Sequence, residues 1–368
     1  MPSPRVIISG GGTGGHVFPA IAIADAIKAM RPEAEFLFVG AIGRMEMERV
    51  PKAGYEIRGL DISGFQRSLS AKNLSFPLKV LKSLKVSRKI IKEFKPDVAV
   101  GVGGYASGPL LHVASRKKVP ALIQEQNSFP GITNRLLAKK VNKICVSYDG
   151  MEKWFPQEKI IMTGNPIRSK VVDIEGKKEA GLKAFDLDPE KPTLLIVGGS
   201  LGARTINESI TGVLDEIINS NCQVIWQTGK LYIEKAQAIL NEKNASNVRV
   251  TAFIEEMDLA YAAADLIVSR AGAMALSELC LIGKPSVLVP SPNVAEDHQT
   301  KNALALVKNE AAILVSDANS RADLWPTVSQ LLTNADARES LAKNAKAMGK
   351  PNAANKIAEE VLKLIEKN

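Results

Sequence analysis

Cysteine is scarce in this 368-residue chain: Cys145, Cys222 and Cys280 are odd in number, far apart and without paired spacing. That excludes a disulfide framework, argues against a cysteine-based metal site and fits a reducing compartment. Histidine is as scarce, with His16, His112 and His298 scattered along the chain, so no metal site is expected. No apolar run reaches the roughly 18 residues of a spanning helix. The first residues lack the basic stretch, apolar core and cleavage site of a secretory leader, and none is expected. No Gly-x-x-x-x-Gly-Lys-[Ser/Thr] sequence occurs, which disfavours a P-loop nucleotidase. Acidic residues are under-represented in one half only. Residues 1–160 carry 25 Lys+Arg against 13 Asp+Glu, while the remainder has a net charge of −3 within the overall +9. The basic surplus calls for an anionic partner on the N-terminal half: anionic lipid, a phosphorylated substrate or nucleic acid. No recognised nucleic-acid reader motif accompanies the charge, so nucleic acid drops out.

What the chain does have is glycine, in turns that follow apolar runs. Val6-Ile7-Ile8 leads into Gly10-Gly11-Gly12-Thr13-Gly14-Gly15-His16, then into a helical stretch with Pro19 expected in its first turn. Strand, glycine turn and helix together point free backbone N–H groups at an anion, and the helix N-terminus adds roughly half a positive charge. Similar turns follow at Gly103-Gly104-Tyr105 and at Gly198-Gly199-Ser200-Leu201-Gly202. Strands are expected at 6–9, 36–40, 98–102, 121–124 and 143–147. An irregular glycine-rich region follows the second strand, and a basic helix is expected over about 77–94. After Asn165-Pro166 the alternation restarts, with strands at 193–197, 223–227, 248–253, 266–269, 286–289 and 312–315 and two final helices. This predicts an α/β protein of two doubly wound domains with mostly parallel sheets. The first spans 1–165 and is joined by the C-terminal helix 352–368; the second spans 166–351.

Gly10, Gly12 and Gly15 fit the dinucleotide fingerprint, but the second strand ends Phe38-Val39-Gly40-Ala41-Ile42, without the acid that holds a ribose. No nicotinamide or flavin cofactor is therefore expected. In the second half, Ser269-Arg270-Ala271-Gly272-Ala273-Met274 again runs from strand end into helix, with small residues that leave room for a diphosphate. Glu278, one turn on, is placed to reach ribose hydroxyls. Polar side chains around Asn293 and Asp297–Asn302 suit sugar hydroxyls.

The motifs at 11–16, 103–109, Glu125-Gln126-Asn127, Gly164-Asn165-Pro166-Ile167-Arg168, 198–204 and 270–273, in this order over nearly the whole chain, resemble the MurG family of bacterial peptidoglycan N-acetylglucosaminyltransferases. The resemblance implies a GT-B fold, two Rossmann-like domains facing across a cleft. It also implies metal-independent, inverting transfer of GlcNAc from UDP-GlcNAc to the 4-hydroxyl of the muramoyl sugar of lipid I, giving lipid II. It implies peripheral attachment at the cytoplasmic face of the bacterial membrane and a place in a cell-wall synthesis complex. Carried over by position, Thr13, Gly14, Gly15, Asn127, Arg168, Ser200, Ile254, Arg270, Ala273, Met274, Glu278 and Gln299 are expected at UDP-GlcNAc, with the Ile254 backbone reading uracil. Gly12, Gly103, Gly104 and Tyr105 are expected at the acceptor diphosphate. Gln124 and His298 depart from residues carried by some relatives. Inverting transfer needs a base at the acceptor hydroxyl and a stabilised leaving group. His16 is the first candidate base because neutral imidazole accepts a proton near pH 7, and Glu125 is the second. Arg168 and Arg270 are expected to supply positive potential.

The segment 72–95 carries eight basic residues against one acid, Glu93, interleaved with Leu74, Phe76, Leu78, Leu81 and Leu84. It reads either as a solvated helix face or as a patch for an anionic membrane surface; a lipid-linked acceptor favours the second. Two alternatives remain at this point. One is another GT-B enzyme, such as a glycolipid glycosyltransferase or a UDP-GlcNAc 2-epimerase. The other is a non-catalytic UDP-sugar-binding protein.

Overall fold

The computed structural model describes residues 3–63, 76–199, 202–294 and 297–366. The chain forms two units: Met1–Arg168 with Pro351–Asn368, and Ser169–Lys350. The strands of the first are β1 (Arg5–Ser9), β2 (Glu35–Ala41), β3 (Ile57–Leu60), β4 (Val98–Gly101), β5 (Ala121–Glu125), β6 (Lys143–Val146) and β7 (Ile160–Met162). They lie in the order β3-β2-β1-β4-β5-β6-β7, every pair parallel. The second unit has β8 (Thr193–Val197), β9 (Gln223–Gln227), β10 (Val248–Thr251), β11 (Leu266–Ser269), β12 (Ser286–Leu288) and β13 (Ile313–Leu314). Their order is β10-β9-β8-β11-β12-β13, again all parallel.

Parallel strands need crossover helices, which cover both faces of the sheet; this is why the strands read as unbroken apolar runs. Alternate residues of β1 divide between the two faces. Ile7 packs with Leu37, Ala99 and Ile123, while Val6 and Ile8 pack with Ile23, Ile27 and Val100. Each such fully buried side chain is worth roughly 1.5–3 kcal/mol. The helix Ala353–Glu366 belongs to the first unit because Ile357, Ala358, Val361 and Leu364 complete the second of these layers. All three cysteines are buried and free.

Several local expectations need correction. The glycine-rich region after β2 is not irregular: it holds the short helix Glu46–Lys52 and β3. The edge strand β7 was not expected either; its three residues are too short to show a period. The first helix starts at Gly14, so Pro19 is its sixth residue rather than part of its first turn. Pro19 has no N–H to donate to the Gly15 carbonyl, one turn back.

In each sheet the strand order reverses beside the first strand, between β1 and β4 and between β8 and β11. A crevice for ligands opens at the carboxyl ends of such strands. The described residues of the four glycine-containing turns lie there: 10–13 after β1, 102–106 after β4, 198–199 and 202–203 after β8, and 270–272 after β11.

Candidate active site

In the first unit, Gly12 takes a left-handed backbone (φ +92°), and Thr13 is extended, its carbonyl receiving the N–H groups of His16 and Val17 at 3.1 Å. The half-buried His16 turns its Nδ1 to the Gly11 carbonyl at 3.1 Å, with Thr13 Oγ1 farther away at 3.5 Å. A carbonyl only accepts, so Nδ1 carries the proton and Nε2 is the basic nitrogen of the neutral ring. The second turn closes on the first. A Cβ at Gly104 (φ +86°) would lie 2.3 Å from the Gly11 carbonyl oxygen, and one at Gly103 (φ +94°) 2.8 Å from the His16 ring. Tyr105 follows, with 46% of its surface exposed.

Two carboxylates fix this neighbourhood. Glu46 is fully buried and accepts from Gly12 N at 2.8 Å and Ala41 N at 2.9 Å. Gly12 was expected to face the acceptor diphosphate, but its N–H is given to Glu46 and so leaves the set of anion donors. Glu125, 2% exposed, accepts from Asn127 N and Nδ2 at 3.0 and 3.3 Å, and from Gly131 N and Asn134 Nδ2 at 3.0 and 2.9 Å. A carboxylate has about four lone-pair sites. With all of them engaged, Glu125 closes the loop 126–131, which leaves it less available than His16 as a candidate base. Asn127 is held by that carboxylate. Arg168 lays its guanidinium over the ring of Phe18, which lies on the same helix as His16, at 4.7 Å. Buried amides tie the strand ends together: Gln124 donates to Asn165 at 3.0 Å, Gln126 to the Val102 carbonyl at 3.0 Å, and Asn165 to the Gln126 carbonyl at 3.1 Å.

In the second unit, Ser200 lies outside the described residues. Around it, Gly199 (φ +84°) accepts from Gln227 Nε2 at 2.9 Å. Gly202 (φ +79°) packs so closely on Thr228 that a Cβ would lie 2.1 Å from its carbonyl oxygen. The turn opens the helix Arg204–Gly212. Gly272 is extended before the helix Ala273–Ile282, which places buried Ala273 and half-buried Met274 in its first turn. Glu278 accepts from the Tyr261 hydroxyl at 2.8 Å. Burial and this carboxylate push the Tyr261 phenol well above its ordinary range. Ile254 is buried beyond β10, and Gln299 accepts from Ser291 N at 2.9 Å through its side-chain oxygen.

Arg270, expected to supply positive potential, is engaged within its own unit. Its Nη1 donates to the carbonyls of Val289 and Pro290 at 3.1 and 3.2 Å and is ion-paired with Asp317. Asp317 also accepts from Thr205 at 3.0 Å, so the pair braces the ends of β11 and β12 against the helix after the third turn.

The Glycosyltransferase family 28 N-terminal domain matches residues 6–146, and the Glycosyltransferase family 28 C-terminal domain matches residues 193–357. A Parabacteroides distasonis protein named UDP-N-acetylglucosamine--N-acetylmuramyl-(pentapeptide) pyrophosphoryl-undecaprenol N-acetylglucosamine transferase is 55% identical over 367 residues, 100% of each chain. A Cytophaga hutchinsonii protein of the same name is 54% identical, over 98% of this chain and 97% of its own. The chain belongs to glycosyltransferase family 28. Among solved structures, Acinetobacter baumannii MurG superposes with a TM-score of 0.76 at 27% identity, covering 98% of this chain and all of that one. The fold is accordingly GT-B, with one Rossmann-like domain in each unit.

Within this family assignment, the residues that sequence reading missed are the supports. Glu46 sits in the region taken for irregular, and its only sequence signal is an acid ahead of Val50, which is buried one turn later. Asp317 follows the last strand, at the carboxyl edge where ligands bind. Tyr261 lies on a short helix with nothing in sequence to link it to Glu278. Among the described residues no group of three or more His, Cys, Asp or Glu is arranged to hold a metal, and no helix is long and apolar enough to cross a membrane.

Proposed function

We propose that this protein transfers GlcNAc from UDP-GlcNAc to the 4-hydroxyl of the muramoyl sugar of undecaprenyl-pyrophosphoryl-MurNAc-pentapeptide (lipid I), forming lipid II with inversion at the anomeric carbon. The observation that carries the reading is the seating of His16 at the strand-order reversal of the first sheet, in a chain alike over its full length to relatives named for this transfer. His16 Nε2 takes the proton of the acceptor hydroxyl. The hydroxyl oxygen bonds to the anomeric carbon, and the bond from that carbon to the β-phosphate oxygen breaks with its electron pair leaving on UDP. The N-termini of the helices Arg204–Gly212 and Ala273–Ile282 direct partial positive charge at the departing diphosphate.

Donor contacts on this reading come from Ser200, Ile254, Arg270, Ala273, Met274, Glu278 and Gln299, joined by Thr13, Gly14, Gly15, Asn127 and Arg168. The acceptor diphosphate falls to Gly103, Gly104 and Tyr105. Access to a lipid-linked acceptor is through the basic helix Phe76–Phe94, which docks on anionic lipid at the cytoplasmic membrane face. Purified protein with UDP-GlcNAc and a lipid I analogue should release UDP at the same rate with and without EDTA. Absence of turnover would overturn the reading in favour of a binding protein, and an EDTA-sensitive rate would overturn the metal-independent mechanism.

A further inference from the structure

Glu46 and His16 hold opposite ends of one peptide group. Gly12 N–H, which donates to Glu46 at 2.8 Å, and the Gly11 carbonyl, which accepts from His16 Nδ1 at 3.1 Å, belong to the same peptide bond. In a trans peptide these two groups point in opposite directions, so carboxylate, peptide and imidazole form a line. We infer that Glu46 is a positioning residue for His16, acting through the 11–12 peptide: its carboxylate polarises that peptide, fixes the Nδ1–H tautomer and makes Nε2 a stronger base.

Three observations support the assignment. First, Glu46 is fully buried and its carboxylate is held in one place by the Gly12 and Ala41 N–H groups, which offset the cost of burying it at the far end of the 11–12 peptide. Second, hydrogen bonds in series polarise one another, and a negative charge on the N–H side of a peptide makes its carbonyl a better acceptor. Third, glycine makes room for each member of the line. A Cβ at Gly11 would come within 2.1 Å of the Glu46 carboxylate, and one at Gly40 within 2.4 Å of its Cγ. Gly104 and Gly103 give the same clearance to the Gly11 carbonyl and the imidazole. The arrangement does for His16 what a directly bonded carboxylate does in a catalytic triad, with a peptide inserted between them.

The inference rests on His16 as base, and the experiment separates the two. In wild-type protein labelled with ¹⁵N-histidine, His16 at high pH should show a protonated Nδ1 and an unprotonated Nε2; the reverse tautomer overturns the relay, and no variant is needed to see it. Glu46→Gln should reduce the Nδ1–H population and lower kcat roughly 10–100-fold, as losing a partner that orients a functional imidazole does elsewhere, with UDP affinity unchanged. In a His16→Ala background the same substitution should change kcat less than about twofold, because the two residues act as one unit. Full multiplication of the two losses, or unchanged His16 resonances in Glu46→Gln, would reduce Glu46 to a loop support. If His16→Ala alone kept kcat within about threefold, the base reading would fail, while the tautomer measurement would still judge the relay.

Discussion

Both units carry a glycine turn after the first strand of a parallel sheet, yet each secures it with different chemistry. In the first unit the turn after β1 is held by a carboxylate, Glu46, and faces an imidazole. In the second the turn after β8 accepts from a neutral amide, Gln227 on the Gly199 carbonyl, Asn207 of the following helix bonds the Thr228 carbonyl after β9, and the charged pair Arg270–Asp317 stands at the neighbouring strand end. A carboxylate on a loop N–H removes one donor from any anion cradle and lends electron density to a base. Neutral amide supports add no negative charge of their own to the turn that opens the helix. On the proposed reading, the same turn at the same topological position serves proton transfer in one unit and leaving-group stabilisation in the other, and the difference in supports goes with that division.

The largest expected effect tests the first half of that contrast. Loss of a general base costs roughly 10²–10⁴-fold in rate. His16→Ala should lower kcat by that factor and leave UDP affinity, measured by calorimetry, at the wild-type value. A kcat within about threefold of wild type would remove the base from the first unit and the contrast with it.

Arg270→Ala tests the brace in the second unit. Both partners are mostly buried, with side-chain exposures of 14% and 16%. Removing one leaves Asp317 buried without its counter-charge, a change that costs about 3–5 kcal/mol at such sites. Urea denaturation should show a loss of about 3 kcal/mol. A loss below about 1 kcal/mol would mean that the pair does not brace the strand ends and that Arg270 is principally a ligand.

A smaller effect is expected at Glu278. A charge-assisted hydrogen bond is worth about 1.5–3 kcal/mol, so Glu278→Ala should raise the donor KM about tenfold or more and leave the acceptor KM nearly unchanged. Tyr261→Phe, which removes the partner hydroxyl at 2.8 Å, should raise the donor KM by a lesser factor. Equal shifts in both KM values would break the assignment of donor recognition to the second unit.

How much of this was legible in sequence follows from the range over which each cause acts. Strands such as Thr193–Val197 and Leu266–Ser269 match their expected bounds because a doubly covered parallel strand is an unbroken apolar run. His16 stood out because a rare residue ends a glycine turn between a strand and a helix. The supports did not stand out. Glu46 is linked to Gly12 across 34 residues, and Arg270 to Asp317 across 47. Such pairings are made by the stacking of strand ends, and no local period records them. Glu125 was visible as a carboxylate, but the four hydrogen bonds by which it closes the loop 126–131 were not.

The smallest expected effect concerns the surface that distinguishes the basic first unit from the second. The helix Phe76–Phe94 buries Ser83, Ser87, Ile90 and Ile91, and Leu84 packs on the core instead of facing outward as the sequence pattern suggested. Leu78 and Leu81 are the outward apolar pair, 70% and 63% exposed. Lys79 and Lys82 lie beside Asp61 at 3.8 and 3.2 Å, which offsets part of their charge, so they are poor probes of membrane attraction. Lys85 and Arg88 are exposed on the same helix and are better ones. Each Lys or Arg near an anionic surface contributes about 1 kcal/mol, so Lys85→Ala and Arg88→Ala should each weaken co-sedimentation with anionic vesicles about fivefold. Raising the salt to 1 M, where the Debye length is about 3 Å, should remove most of the difference between variant and wild type. Leu78→Ser with Leu81→Ser should weaken binding at both salt concentrations, since that contribution is apolar. Activity on a short-chain soluble acceptor should be unaffected in all of them. Vesicle binding that is unchanged in the charge variants would make this helix a solvated face, and the basic surplus of the first unit would then have to serve the acceptor diphosphate alone.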